Sequence, residues 1–376
     1  MNGGPRRMAS RDSLTLLAGP DIRWREALRA GLVGHSREPL NCETPPPLLG
    51  ADVTPASRFF RRNHFPIPEL DAGTWRLAIG GMVRSPLILS LAELRQFGSQ
   101  SLEAVLECAG NGRTLFSPPA AGEPWGLGAV GSAKWTGVRL AEILDLAGIE
   151  PGASEVIFRG ADRGPVDGSP EVIAFERSLT VGEAMQSGAL LAYAMNGEPM
   201  SVTHGHPVRL VVPGLYAVAS VKWLTGIIVT DQPFDGYFQS VHYVYEWERG
   251  GAAVREPVGA QRVRAMITEP GAGDELEGTF AVRGVAWSGA APVTLVEVSL
   301  DGGPWRPADL AGEPGAHGWQ QWELRVAAGA RKGAQGELRI RARATDGAGR
   351  TQAGRPEWNR LGYGGNFIHE VRVRLR

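Results

Sequence analysis

Short apolar segments recur along the chain between turns that contain Gly or Pro. Trp75 to Ile79 alternates apolar and polar positions, as does a strand with one buried face. Mostly apolar runs bounded by turn residues predict further strands at Glu155 to Phe158, Val208 to Val212 and Ile227 to Val229. The central part of the chain is therefore predicted to contain several short strands.

Three segments of the same region carry signals of short helices. Ser90 to Glu93 is a capping box that opens a helix with Leu94 and Phe97 on its inner side. A second helix is predicted from Leu140 to Ala147, and Thr180 to Glu183 caps a third. Short strands and helices without a regular strand-helix-strand alternation are typical of an α+β domain rather than of a doubly wound sheet.

The pattern changes in the last third of the chain, where alternation dominates. Val296 to Leu300 alternates, meets Asp301-Gly302-Gly303 and resumes towards Trp305, which predicts a hairpin. Further strands are predicted at Phe280 to Val285, Trp322 to Val326, Leu338 to Ala344 and Val371 to Leu375. Short strands with Gly-rich turns and no helix indicate an all-β, immunoglobulin-like sandwich.

A length of 376 residues favours two domains. Residues 1–56 are rich in Pro, Gly and charge and predict an irregular arm. We place an α+β domain at residues 57–258 and the β-sandwich at residues 259–376.

The composition limits the cellular compartments and the binding partners that can be expected for this protein. A net charge of −1 gives no general basis for binding nucleic acid or acidic membranes. No apolar run approaches the roughly 20 residues that span a bilayer, and Leu14 to Ala18 is too short for a signal-peptide core. A cytoplasmic protein is expected, or a periplasmic one if a leader has been removed.

The chain has two cysteines, Cys42 and Cys108. Two cysteines alone do not make a Cys-rich zinc site. Cys108 lies among small residues with Arg113 five positions on. Three interpretations remain: a buried apolar side chain, a nucleophile, or one thiolate ligand of a metal whose other ligands come from a cofactor.

Cations and hydrogen-bonding groups gather in three further segments, at Arg61 to Pro66, Thr203 to Arg209 and Val218 to Trp223. Each segment by itself is more often surface polarity or a satisfied turn. His204 and His206 without a nearby carboxylate or Cys are a weak zinc signal. Convergent cations fit a phosphate-bearing cofactor better.

Taken together and in order, these segments resemble the sulfite oxidase family of molybdopterin enzymes. The resemblance runs from Phe59 to the C-terminus. It is carried by six motifs: Arg-Asn-His before Phe-Pro at residues 62–66, Cys-Ala-Gly-Asn at 108–111, Lys-Trp-Thr-Gly-Val at 134–138, Asn-Gly-Glu-Pro at 196–199, His-Gly-x-Pro-x-Arg at 204–209 and Val-Lys-Trp at 221–223. The resemblance implies a sulfite oxidase fold and a C-terminal dimerisation domain.

The resemblance also implies roles for individual residues. Cys108 would ligate molybdenum, and the pterin dithiolene would supply two more sulfurs. Arg62, Arg113, Trp125 and Tyr243 match residues of the family's substrate pocket. The pterin and its phosphate would be held by Asn63, His64, Asp162, His204, Arg209, Ser220 and Lys222.

The function implied is oxidation of sulfite to sulfate by oxo transfer at the molybdenum-molybdopterin centre. No haem-attachment motif is found, so an external acceptor such as a c-type cytochrome or oxygen is expected. A homodimer is expected as well. The alternatives are reductive oxo transfer from nitrate or a sulfoxide on the same scaffold, and a non-enzymatic binding module.

One segment departs from the family pattern. Animal and plant members carry a substrate arginine in Trp-Asn-x-Arg-Gly, where this chain has Trp358-Asn359-Arg360-Leu361-Gly362. Adjacent side chains on an extended segment point in opposite directions, so Arg360 need not reach the pocket.

Overall fold

The computed structural model describes residues 19–249, 252–313, 315–327 and 336–376. The first domain is built mainly from strands. Its strands, in chain order, are β3 Arg76–Gly81, β4 Leu87–Ser90, β5 Gln100–Glu107, β6 Val130–Arg139, β7 Glu155–Val166, β8 Ser169–Thr180, β9 Leu190–Met195, β10 Glu198–Pro199, β11 Arg209–Val211 and β12 Leu224–Thr230. They follow a small hairpin of β1 Val33–Ser36 and β2 Asn41–Glu43.

These strands form two sheets. One has the order β10-β9-β6-β5, with β11 also paired to β9, and the other has the order β4-β3-β12-β7-β8. The strand predictions are confirmed in position, but β7 is longer than predicted because polar residues occupy its exposed face between buried positions. Strands β4, β5, β6, β8, β9 and β10 were not predicted, and in β8 most of the first eight residues are only partly buried.

The described helices are few and short. They are α1 Pro20–Arg29, α2 Leu91–Leu94, α3 Leu140–Ala147, α4 Val181–Gln186 and α5 Tyr237–Ser240. Helices α2 and α4 begin at the predicted capping boxes, and α3 has the predicted bounds. The domain is thus dominated by sheets, with helices that connect and cover them.

The prediction of an irregular N-terminal arm is wrong for the described residues from 20 onward, which include α1 and the β1–β2 hairpin. Pro20 lies in the first turn of α1, where proline is favoured because its missing N–H needs no partner. The hairpin strands are too short to show a periodic pattern. They are stabilised by tertiary contacts that the sequence does not reveal.

An antiparallel hairpin, β13 Val244–Arg249 and β14 Ala252–Pro257, joins the two domains. It ends beside the predicted boundary at residue 258. Isolated bridges pair Ala104 with His317 and Leu215 with Ala260, so the second domain also contacts the sheets of the first.

The second domain is all β among its described residues. Its strands are β15 Arg264–Glu269, β16 Glu275–Leu276, β17 Phe280–Trp287, β18 Val293–Leu300, β19 Arg306–Pro307, β20 Asp309–Ala311, β21 Gln320–Val326, β22 Gly336–Asp346 and β23 His369–Leu375. They form sheets β15-β17-β21-β20 and β16-β23-β22-β18-β19. Apolar side chains from both sheets share one buried core, and the hairpin predicted between β18 and β19 is confirmed.

Candidate active site

A cavity lined by Cys108 lies in the first domain. Most of its polar lining comes from the three polar segments singled out in the sequence and from Cys108. The lining includes Arg62, Asn63, His64, Cys108, Asp162, His204, Arg209, Ser220, Lys222 and Tyr243. The fold therefore brings together residues from six separate parts of the chain.

Cys108 directly follows β5 and is 5 % exposed. Its N–H donates to Ala129 O at 2.8 Å, and its carbonyl accepts from Asn111 N at 2.9 Å. A Cβ at Gly110 would lie against the Arg113 guanidinium, so a larger residue there would displace that side chain. Burial raises the pKa of the Cys108 thiol, and the nearby cations Arg62 and Arg113 oppose that rise.

The residue before the cysteine is held by the second domain. The Glu107 carboxylate is buried and forms an ion pair with Arg264 at 3.1 Å. Its other oxygen accepts from Trp287 Nε1 at 2.9 Å. Arg264 Nη2 also donates to Asn111 O within the cysteine loop, at 3.3 Å. The sandwich thus fixes the backbone on both sides of Cys108.

Arg62, His64 and Tyr243 form a connected polar group on one wall of the cavity. Arg62 Nη2 lies 3.1 Å from His64 Nδ1, and His64 Nε2 lies 2.8 Å from the Tyr243 hydroxyl. Tyr243 stacks on Tyr363 with ring centroids 5.1 Å apart. Burial and the Arg62 charge hold the pKa of His64 well below its usual value, so this ring is neutral near pH 7.

Arg113 approaches the same region from another loop. Its Nε donates to Leu361 O at 2.9 Å and its Nη1 donates to Glu123 O at 2.6 Å. The guanidinium lies 5.3 Å from the Tyr363 ring centroid. The Arg113 charge also lowers the pKa of His64, so the two side chains are close enough to interact. Arg113 is therefore oriented by two carbonyls beside the polar group of Arg62, His64 and Tyr243.

Two further cations, Arg209 and Lys222, line the cavity. Arg209 donates to His204 O and Ser220 O, each at 3.0 Å, and burial lowers its pKa to about 9. Lys222 Nζ donates to Arg62 O at 3.0 Å and to Asn63 Oδ1. Burial also lowers the pKa of Lys222 and raises that of Asp162 to about 6.

Among the described residues, no Asp or Glu oxygen lies within salt-bridge distance of a nitrogen of Arg209 or Lys222, although the charges of Lys222 and Asp162 interact. Asp162 Oδ1 belongs to a residue of the cavity lining and is buried without a hydrogen-bond partner. Buried charges and polar atoms are normally paired, so these residues fit an anionic, hydrogen-bonding ligand such as a pterin phosphate.

The cavity therefore fits molybdopterin. Cys108 presents one sulfur, a donor type that suits molybdenum when a dithiolene supplies the rest. A phosphorylated pterin would find cations, donors and an acceptor in Arg209, Lys222, His204, Asn63 and Asp162.

Two predicted site residues, Arg113 and Trp125, are not part of the cavity lining. Trp125 is fully buried and packs edge-on against His35, with ring centroids 4.8 Å apart. The weak zinc signal is not supported, because His204 Nε2 and His206 Nδ1 lie against two different backbone carbonyls. No metal-binding cluster of three or more His, Cys, Asp or Glu side chains occurs among the described residues.

Arg360 does not reach the cavity. Its side chain is half exposed and forms a two-nitrogen ion pair with Glu246, at 2.8 and 3.1 Å. Leu361 packs instead against the apolar cluster that contains Tyr243 and Tyr363. Arg360 thus lies outside the cavity lining.

Several residues of the site were not found from the sequence. Phe59, Phe60 and Phe175 line the cavity, Tyr363 stacks on Tyr243, and Arg264 anchors the cysteine loop. Apolar residues of this kind look like ordinary core in a sequence. Of these residues, only Tyr363 could have been suspected from the sequence, because it lies two residues after Leu361, the position of the missing arginine.

Comparisons with known proteins identify the family of the chain. Residues 64–238 match the oxidoreductase molybdopterin binding domain, and residues 256–376 match the Mo-co oxidoreductase dimerisation domain. Sulfite oxidase of Gallus gallus is 37 % identical over 317 residues, which cover 79 % of this chain and 68 % of that protein. The chain thus belongs to the sulfite oxidase family of molybdopterin-dependent oxidoreductases, and its cofactor is molybdenum-molybdopterin.

Individual relatives were also found. Mitochondrial sulfite oxidase of Macaca fascicularis is 36 % identical over 312 residues, which cover 78 % of this chain and 56 % of that protein. Nitrate reductase [NADH] 1 of Oryza sativa subsp. japonica is 32 % identical over 374 residues, covering 90 % of this chain and 40 % of that protein. This chain therefore spans about half the length of such relatives.

Among solved structures, the sulfane dehydrogenase SoxCD from Paracoccus pantotrophus matches with a TM-score of 0.76 and 27 % identity. The match covers 90 % of this chain and 85 % of that one. No helix in the described part of the chain is long and apolar enough to cross a membrane.

Proposed function

We propose that this protein oxidises sulfite to sulfate. The observation that carries the proposal is the placement of two arginines: Arg62 lines the cavity with Cys108, and the Arg113 guanidinium lies 5.3 Å from the Tyr363 ring that stacks on Tyr243. Two guanidiniums beside the expected metal ligand form a site for a small oxyanion, because each offers charge-assisted hydrogen bonds.

The cofactor and the side chains of the site have different roles. When bound, the cofactor supplies oxygen-atom transfer and accepts two electrons. Arg62 and Arg113 draw in the anion and hold its oxygens. The aromatic rings of Tyr243 and Tyr363 cover one side of this region and limit water around it.

The phenol of Tyr243 is the proposed donor to the reacting anion. Arg62 Nη2 lies 3.1 Å from His64 Nδ1 and 3.2 Å from His64 Nε2. We propose that the neutral ring bears its proton on Nε2 and donates to the Tyr243 oxygen at 2.8 Å. The Tyr243 hydroxyl proton is left free to stabilise negative charge on the substrate.

Sulfite oxidation releases two electrons, two protons and sulfate after one water is consumed. We propose that the electrons pass to an external acceptor, a c-type cytochrome or oxygen.

The test is steady-state turnover by protein whose molybdenum content has been measured. Sulfite-dependent reduction of ferricyanide or cytochrome c is expected for the wild type. Arg62→Ala, with unchanged molybdenum content, is expected to lose most of kcat/KM. A fully loaded wild type that reduces neither acceptor with sulfite would refute the proposal.

Nitrate reduction is the second candidate. It is supported by the similarity to the rice nitrate reductase and by the charge of nitrate, which suits the same two arginines. A sulfoxide is neutral and would gain less from them. Reduced dye with nitrate or with methionine sulfoxide, assayed on the same protein, separates these reactions from sulfite oxidation.

We further propose a homodimer formed through the immunoglobulin-like C-terminal sandwich. The match to a dimerisation domain supports it. The outward arginines of β22 and β23 are largely paired with glutamates on the same face, among them Arg343 with Glu297 at 2.8 Å and Arg372 with Glu370 at 3.2 Å. A single monomeric species in sedimentation at micromolar concentration would contradict the dimer.

A further inference from the structure

The β1–β2 hairpin contacts both segments that carry the substrate arginines. Asn41, in β2, is 1 % exposed. Its Oδ1 accepts from the backbone N–H of Asn63 at 2.7 Å, and its Nδ2 donates to Glu123 Oε1 at 2.6 Å. One side-chain amide thus joins the segment of Arg62 to the loop at residue 123.

Each end of this bridge lies next to a backbone group that holds one of the two arginines, Arg62 or Arg113. The Asn63 N–H belongs to the peptide that follows Arg62, and Arg62 Nη1 donates to the carbonyl of Asn63. At the other end, the carbonyl of Glu123 accepts from Arg113 Nη1 at 2.6 Å. A shift of either backbone segment would therefore move one guanidinium relative to the other.

We propose that Asn41 is a positioning residue that sets the separation of Arg62 and Arg113. The proposal rests on the proposed function only in requiring an anionic substrate between these two arginines. An amide is needed because it accepts on one side and donates on the other. A carboxylate at position 41 keeps the bond from Asn63 but repels Glu123.

The hairpin is anchored independently of Asn41. Leu40 O accepts from Asn63 Nδ2 at 2.6 Å. The Glu43 carboxylate accepts from the N–H groups of Gly126 and Gly128 at 3.0 and 3.1 Å. A change confined to the Asn41 amide is therefore expected to leave the hairpin docked and the cofactor cavity intact.

The experiment compares Asn41→Asp, the double variant Asn41→Asp with Glu123→Gln, and a control, Asn196→Asp. The double variant reverses the direction of the hydrogen bond, because the amide introduced at position 123 donates to the carboxylate introduced at position 41. Asn196 is a matched control since its Oδ1 accepts from Lys134 N and its Nδ2 donates to Thr54 O, both at 2.9 Å, outside the cavity lining. Molybdenum content, sulfite kinetics and the sulfate dissociation constant by calorimetry are measured at pH 8.

For Asn41→Asp we expect KM for sulfite and the sulfate dissociation constant to rise about tenfold, which corresponds to about 1.4 kcal/mol. Molybdenum content and kcat should stay close to wild type. The double variant should recover both constants to within about threefold, and Asn196→Asp should change neither. These outcomes together support positioning, because a general loss of structure would lower molybdenum content and kcat as well.

Unchanged constants in Asn41→Asp, or no recovery in the double variant, would overturn the proposal. Its failure is distinguishable from failure of the proposed function, which would appear as a loaded wild type without sulfite turnover. In that case the same variants are compared with nitrate as the substrate and by sulfate binding, and unchanged constants there would again overturn it.

Discussion

Arg264 of the second domain and Glu107 of the first form an ion pair in which the side chains are 3 % and 2 % exposed. Glu107 immediately precedes Cys108, and Arg264 also donates to the carbonyl of Asn111 in the same loop. The C-terminal sandwich is therefore part of the support of the proposed metal ligand.

Removing one partner of this pair is predicted to be costly. Arg264→Met would leave the Glu107 carboxylate buried and without its ion-pair partner, and we expect a loss of about 3–5 kcal/mol in the free energy of unfolding. The control is Arg372→Met, because Arg372 and its partner Glu337 are 60 % and 61 % exposed and such surface pairs contribute at most about 1 kcal/mol. Urea denaturation measures both. Equal, small losses in the two variants would contradict the role given to Arg264.

His369 is predicted to make stability depend on pH. Its Nδ1 accepts from Ile267 N at 2.9 Å, which requires a neutral ring, and burial lowers its pKa to about 4 from an ordinary value near 6.5. Between pH 4 and pH 6.5 the ring is therefore protonated in the unfolded chain and neutral in the folded protein. The stabilisation that the neutral, buried ring gives the folded protein is complete above pH 6.5 and is lost as pH falls towards 4.

The check is denaturation of the wild type and His369→Gln at pH 7 and pH 5. The wild type should lose about 2 kcal/mol more than the variant over this interval. A variant with the same pH dependence as the wild type would exclude His369 as a source.

Tyr243→Phe removes the hydroxyl that lies 2.8 Å from His64 Nε2. Because that hydroxyl is the proposed donor to the substrate, we expect kcat/KM for sulfite to fall on the order of 100-fold. Molybdenum content should be unchanged, since the phenyl ring still stacks on Tyr363. A variant with wild-type kcat/KM would remove Tyr243 from the reaction.

Arg360→Ala tests whether Arg360 takes the place of the substrate arginine that this chain lacks at Leu361. Because Arg360 pairs with Glu246 on the surface, we expect KM for sulfite to change by less than about twofold. Arg62→Ala serves as the positive control, with a loss of most of kcat/KM. A tenfold rise in KM for Arg360→Ala would place this arginine in the substrate path.

Local signals predicted local structure well. The capping boxes at Ser90 and Thr180 are formed as the sequence indicates, because each depends on residues three positions apart. Ten of the twelve predicted site residues line one cavity, and the other two, Arg113 and Trp125, lie outside its lining.

Long-range supports were not predictable in the same way. Asn41 contacts Asn63 and Glu123, which lie 22 and 82 positions away, and Arg264 is 153 positions from its partner Asn111. No periodic pattern marks a side chain whose partners come from distant segments. The N-terminal hairpin was missed for the same reason, since its strands are held by such contacts.

The most direct test of the account is the molybdenum content of wild type and Cys108→Ala, with sulfite turnover measured on the same samples. We predict near-stoichiometric molybdenum and sulfite-dependent acceptor reduction in the wild type, and loss of turnover in the variant. Wild-type protein that contains no molybdenum after expression in a host that makes the cofactor, or a Cys108→Ala variant with full turnover, would contradict it.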